Sequence, residues 1–195
     1  MILDEAVGAV RDGLLVVVPT DTVYGIGTRP DDPAATARLF EAKGRPRDLE
    51  LPILVASLPE ARRAAVFDAR AERFAGEFWP GALTIVLPRA PASREWDLGG
   101  DPETVGVRMP HHPLARALLS ATGPMAVTSA NRSGVQPLTT CDELTGVFGD
   151  AVAVYLCQDE PLVGEASSVV DLAHGEPRLV RAGSVTDEQV RRALS

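Results

Sequence analysis

The chain has 195 residues, a formal net charge of −8 at pH 7, 45% hydrophobic residues and 24% charged ones, the balance of a globular protein with room for a sizeable core. That charge argues against a protein that grips nucleic acid through a broad basic face. No stretch reaches the roughly 20 apolar residues of a membrane helix, and residues 1–11 lack a signal-peptide layout, so one cytoplasmic domain spanning residues 1–195 is expected.

In chain order, Leu3 to Arg11 reads as a helix ended by Gly13. Val16-Val17-Val18 is a short apolar strand ended by Pro19, so Thr20, Asp21, Thr22 and Tyr24 fall on a loop at the sheet's edge. In open α/β sheets, such loops hold ligands. Asp32-Pro33 starts a helix that runs through Leu39 and Phe40 to Gly44, placing Lys43 in its last turn and Arg45 just beyond. Pro52 to Ala56 is a second strand. Ser57-Leu58-Pro59-Glu60 opens a short helix as a capping box, and Ala69 to Phe78 is helical. Phe78-Trp79-Pro80-Gly81 turns tightly into the strand Leu83 to Leu87. Arg89 to Glu103, rich in Pro, Gly and charge without a period, reads as a long surface loop.

Thr104 to Arg108 is a strand closed by Met109-Pro110; a helix follows from Pro113 to Ala121, then the strand Met125 to Thr128. The polar turn Ser129 to Gly134 leads to a second capping box, Thr140 to Glu143. Strands are expected at Val152–Leu156, Ser168–Leu172 and Arg178–Val180, and Thr186 to Gln189 caps a final helix. Strands alternating with helices, then several strands without them, imply a mixed sheet with helices packed against it.

Lys43 is the only lysine among nineteen basic residues, a hint that its compact, rotatable ammonium matters where a guanidinium fork would not serve. Cys141 and Cys157 show no Cys-x-x-Cys spacing and are expected as two separate, small, buried apolar residues, with no disulfide. His111, His112 and His174 form no metal-ligand spacing, and no metal site is read from the sequence. Gly25-Ile26-Gly27 lacks the third glycine of a dinucleotide fingerprint, because Pro30 stands in its place. No phosphate-loop or nucleophile-elbow motif is present.

What recurs instead is a strand end followed by hydroxyls or cations: Thr20/Thr22, Lys43/Arg45, Thr104/Arg108, Ser129/Asn131, Ser167/Ser168 and Arg181. Gathered at one sheet edge, these make a pocket of fixed donors facing anionic oxygens. Such a site works by holding two reactants in line and stabilising phosphate charge, without a protein nucleophile.

Seven segments carry a specific resemblance: P-T-D-T-V-Y-G (19–25), K-G-R-P-R-D (43–48), F-W-P-G-A-L-T (78–84), T-V-G-V-R-M-P (104–110), T-S-A-N-R-S-G (128–134), S-S-V-V-D-L (167–172) and V-R-A-G (180–183). In this order they resemble the YrdC/Sua5 family of L-threonylcarbamoyladenylate synthases, in its short single-domain form. The resemblance implies an α/β fold, a single-domain twisted mixed β-sheet flanked by helices, with a concave ligand-binding surface. It implies a nucleotidyltransferase that makes threonylcarbamoyl-AMP and pyrophosphate from L-threonine, bicarbonate and ATP with Mg²⁺. A separate transferase then carries the group to tRNA, which is met only indirectly.

Carried over position by position, Thr22, Arg108 and Ser167 are expected at L-threonine, and Lys43, Arg45, Thr104, Ser129, Asn131 and Arg181 at ATP. Lys43 and Arg45 are expected to be catalytic, offsetting charge on the phosphorus oxygens. The chain departs from the family pattern at Leu49 and Glu50, where a small or cationic residue and then proline are usual. It also departs at Leu54, where many members carry a histidine that contacts threonine, and at Pro137 and Ala182. The competing readings are an RNA-binding module of the same fold, which a chain at −8 is poorly equipped to be, and a hydrogenase-maturation type of carbamoyl-adenylate chemistry, whose extra acylphosphatase and zinc-finger regions have no counterpart here.

Overall fold

In the computed structural model of the chain, residues 2–194 are described. The helices are α1 (Ile2–Arg11), α2 (Pro33–Lys43), α3 (Leu58–Ala64), α4 (Ala69–Phe78), α5 (Pro113–Thr122), α6 (Cys141–Phe148) and α7 (Asp187–Leu194). The strands are β1 (Val16–Val18), β2 (Gly25–Thr28), β3 (Ile53–Leu54), β4 (Leu83–Pro88), β5 (Thr104–Arg108), β6 (Met125–Ser129), β7 (Val154–Tyr155), β8 (Ser168–Asp171) and β9 (Arg178–Arg181).

Local chemistry sets the helix ends. The Asp32 carboxylate accepts from the Ala34 amide with Pro33 in the first turn of α2, and Gly44 stops the helix in the left-handed region at φ 58°. Thr140 and Glu143 complete a reciprocal capping box on α6. Before α7, the Thr186 amide donates to Gln189 Oε1 while the Gln189 amide donates to Thr186 Oγ1.

The nine strands form one mixed sheet in the order β7-β1-β2-β6-β3-β5-β4-β8-β9. The β1/β7, β3/β5 and β4/β8 pairs are parallel; the other neighbours are antiparallel. Alternation along the strands divides the side chains between two faces. Val17, Ile26, Ile53, Ile85, Val107 and Val170 enter the larger core with Leu39 and Phe40 of α2 and Phe74 of α4. Val16, Val18, Leu54, Met125 and Val127 face the other way and pack with Ala6 and Val10 of α1 and Leu118 and Leu119 of α5. The continuation of this second face towards β8 carries the cavity described below.

The structure differs from the sequence reading in three places. The segment after Tyr24 is a strand, β2, held between β1 and β6, so the Thr20–Tyr24 loop is a hairpin connection. Gly25 and Gly27 hid this strand because glycine reads as a breaker. Here a Cβ on either residue would stand 2.6 Å from a Val127 methyl, so the close approach of β6 requires their bareness.

Residues 89–103 are also more interior than a surface loop. Arg89 is buried and donates to the carbonyls of Thr104, Ser93 and Trp96, while Ser93 and Leu98 are buried beside it. A charged side chain thus brackets the loop from within.

The cysteine reading is corrected as well: Cys141 and Cys157 are half-buried and joined as a disulfide, with Cα atoms 5.8 Å apart. Their spacing has no signature because α6 and the short turn after it fold back, setting the first residue of α6 beside the chain leaving β7.

Candidate active site

On the second sheet face, neighbouring strands offer alternate residues to one cavity of about 230 Å³. Its floor is Gly25, Val127, Pro52, Leu54, Gly106, Val86 and Val169; its polar groups include Thr20, Thr22, Thr128, Ser129, Thr84, Ser167, Arg45, Arg108, Arg181 and Glu50. The β3/β5 register sets Leu54 beside Arg108, so the polar end at Arg108 adjoins an apolar floor.

The wall nearest β1 is the hairpin loop. Thr20 shapes it: its Oγ1 donates to the Val23 carbonyl at 2.6 Å and accepts from the amides of Thr22 and Val23. This turn aims Thr22 at Arg108. Residues 157–167 close the wall from outside, with the Gln158 amide donating to the Tyr24 hydroxyl at 3.1 Å. Gly164 lies so tightly on Thr22 that a Cβ there would be 1.8 Å from its carbonyl oxygen.

Arg108 is fixed from three sides. Its Nε donates to the Gly81 carbonyl at 2.9 Å, Nη1 to Thr22 Oγ1 at 2.9 Å and Nη2 to Asp21 Oδ1 at 2.7 Å. The Gly81 carbonyl is presented by the turn after α4, which contains a cis Trp79–Pro80 bond and in which Trp79 Nε1 donates to the Leu83 carbonyl. Asp21 Oδ1 also accepts from the His111 amide, so the carboxylate is itself anchored. At the far strands, Arg181 donates through Nε to the Ser167 carbonyl and through Nη2 to Ser167 Oγ, both at 3.0 Å. Ser167 Oγ in turn pairs with Thr84 Oγ1 at 2.9 Å. Arg45 donates to the carbonyls of Leu49 and Glu50.

Three guanidinium groups therefore share one small space. Burial lowers the pKa of each, and the charge of Arg181 lowers Arg45 and Arg108 further. Crowded, partly desolvated cations of this kind are relieved by an anion; Asp21 supplies one to Arg108, while no carboxylate pairs with Arg45 or Arg181 among the described residues.

The predicted site residues fall into two groups. Thr22, Arg45, Arg108, Ser129, Ser167 and Arg181 line the cavity together. Lys43, Thr104 and Asn131 are buried outside its lining. Lys43 lies behind the β6 end, where its Nζ donates to the carbonyls of Ser129 and Asn131. Burial, with the charge of Arg45 adding to it, pulls this amine down to about 7, against the preference of its carbonyl acceptors for the ammonium. Asn131 donates to the carbonyls of Arg132 and Val135, tying the turn after β6, while its Oδ1 is buried without a partner. Thr104 stands at the opposite end of β5 from Arg108, four residues or roughly 13 Å along the strand.

Two participants were not singled out from sequence: Thr84, whose signal was its place in F-W-P-G-A-L-T, and Asp21, whose signal was its place between Thr20 and Thr22. Among the described residues, no three His, Cys, Asp or Glu side chains are grouped to hold a metal ion. No described helix is long and apolar enough to cross a membrane.

The family model Sua5_yciO_yrdC, described as "Telomere recombination", matches residues 8–183. The chain belongs to the Sua5/YciO/YrdC family. A Mycobacterium tuberculosis relative is 45% identical, the match covering 97% of this chain and 88% of the relative. A Chromohalobacter salexigens relative named threonylcarbamoyl-AMP synthase is 36% identical over 88% of this chain and 93% of its own. The crystal structure of Pyrococcus abyssi Sua5 complexed with L-threonine superposes with a TM-score of 0.89 at 35% identity. That match covers 98% of this chain and 57% of the Pyrococcus chain, so the present chain spans little more than half of that protein. The sheet-and-helix architecture expected from the seven segments is the one observed, and members of the family share it.

Proposed function

We propose that the protein is a threonylcarbamoyl-AMP synthase, a nucleotidyltransferase that joins L-threonine, bicarbonate and ATP. The convergence of Arg45, Arg108 and Arg181 with Thr22, Ser129 and Ser167 on one cavity carries this reading. The name of the Chromohalobacter relative and the L-threonine in the Pyrococcus complex support it.

In this proposal, the carboxylate of threonine meets Arg108, whose fork is held square by Gly81, Thr22 and Asp21. Ser167, which lines the same cavity, is assigned to threonine on the family resemblance, and its hydroxyl links Arg181 to Thr84. The phosphates of ATP meet Arg45, Arg181 and Ser129. Lys43 and Asn131 act on the nucleotide side by setting the turn that carries Ser129. Thr104, distant in this structure, keeps its assignment to ATP on the family resemblance alone. Mg²⁺ enters as part of the nucleotide substrate, its ligands being phosphate oxygens and water.

The threonine ammonium and bicarbonate give a carbamate, one water and one proton. A carbamate oxygen then forms a bond to the α-phosphorus, and the bond from that phosphorus to the pyrophosphate oxygen breaks. The arginines contribute by positioning and by opposing the gathering negative charge. The product is handed to a tRNA threonylcarbamoyl transferase in the cytoplasm.

The test is pyrophosphate release by the purified protein with threonine, bicarbonate, ATP and Mg²⁺ omitted one at a time. Release is expected with the full set and lost with each omission. Release that is independent of threonine would overturn the proposal.

A further inference from the structure

One group in the cavity does not suit a polyphosphate. Glu50 is the single acidic residue among those lining it. The chain places it there deliberately: after Gly44 the backbone curls around the Arg45 guanidinium, which donates to the carbonyls of Leu49 and Glu50 at 3.1 and 2.8 Å. From the other side, Gly100 presses on it so closely that a Cβ there would lie 2.7 Å from the Glu50 Cβ.

The charged groups facing the carboxylate are Arg45 from the segment after α2, Arg89 from the end of β4, and Asp101 from the loop before β5. The Gly106 amide reaches it from β5. Both guanidinium groups spend their hydrogen bonds on carbonyls, so neither closes an ion pair with it. Glu50 Oε1 is buried without a partner. Glu50 lines the same cavity as Arg45, the arginine expected at the phosphates, and feels its charge.

We propose that Glu50 sets the affinity of the nucleotide site: its ionised carboxylate repels phosphate from the arginine-lined end, and nucleotide binds when Glu50 is neutral. This rests on the assignment of ATP to the cavity. Burial is the main reason the carboxyl is pushed up to about 7, and the favourable charges of Arg89 and Arg45 do not reverse it. At pH 8, about one molecule in eleven then carries a neutral Glu50, and the apparent dissociation constant is the intrinsic one divided by that fraction, about elevenfold higher. At pH 6 nearly all are neutral.

The experiment is calorimetric titration of ATP, without threonine or bicarbonate, into the wild-type protein and Glu50→Gln, with Mg²⁺ in one arm and EDTA in the other. Thermal melts establish that the variant is folded, and Glu50→Ala serves as a second variant. The variant is expected to bind about tenfold more tightly than wild type at pH 8 and equally at pH 6, in both arms. Taking the ratio of the two proteins cancels the titrations of Lys43 and of ATP, which they share. Equal affinities at pH 8, or weaker binding by Glu50→Gln in the Mg²⁺ arm as for a lost metal ligand, would overturn the inference and leave the proposed function standing. Absence of ATP binding by both proteins at both pH values would overturn both.

Discussion

Replacing Arg108 with alanine tests whether the cavity is as preorganised as its geometry implies. The Arg108–Asp21 pair is 2.7 Å long with its side chains 7% and 17% exposed. Removing one partner of a buried pair costs about 3–5 kcal/mol, because the other charge is left without compensation. The Thr22 hydroxyl and the Gly81 carbonyl also lose their partner. Arg29–Asp31 is an internal control: it is also 2.7 Å long, yet its side chains are 39% and 51% exposed, and such pairs contribute about 0.2–1 kcal/mol. With a urea m-value of about 2–3 kcal/mol/M, Arg108→Ala should lower the unfolding midpoint by about 1–2.5 M and Arg29→Ala by less than about 0.5 M. A double-mutant cycle with Asp21→Asn should return a coupling of about 2–3 kcal/mol. Equal midpoint losses for the two arginine variants, or no coupling to Asp21, would refute the reasoning.

Three further predictions follow from particular contacts. Reducing the Cys141–Cys157 bond, or replacing both residues with serine, should cost about 3 kcal/mol for a closed loop of 16 residues, read as a lower urea midpoint than that of the oxidised protein. Glu50 is raised to about 7 when folded from 4.5, so the folded state binds more protons between these values; its contribution is complete below pH 4.5 and lost as pH rises through about 7. Glu50→Gln should therefore remove a fall in wild-type stability across that window, measured as the unfolding midpoint against pH. Lys43→Ala should keep the fold but lower turnover by at least about a hundredfold, as the turn bearing Ser129 loses its anchor; near wild-type pyrophosphate release would contradict this.

Most of the scaffold was legible because it follows from local chemistry. Asp32-Pro33 and Gly44 bracket α2, Thr140 and Glu143 cap α6, and apolar runs mark β1, β4 and β5. β2 was hidden because its glycines answer to Val127, a residue about a hundred positions away, and no local window contains that neighbour. The disulfide was hidden for the same reason, since the return of the chain after α6 decides it.

At the site, the residue types at strand ends announced a gathering of hydroxyls and guanidinium groups, and alternation on one face explains why Arg108, Ser129 and Ser167 meet in one cavity. The sequence did not reveal which donors face the cavity and which stand behind it. Lys43 and Arg45 are neighbours across one glycine, yet the helix end turns Lys43 toward the carbonyls of Ser129 and Asn131 and Arg45 toward the cavity.

The most direct test of the central claim is mass spectrometry of the product made with ¹³C-bicarbonate, threonine and Mg²⁺-ATP. The account predicts a threonine-containing adenylate that carries the label, formed together with pyrophosphate and lost in Arg108→Ala. An adenylate without the label, or pyrophosphate release with no threonine joined to AMP, would contradict it.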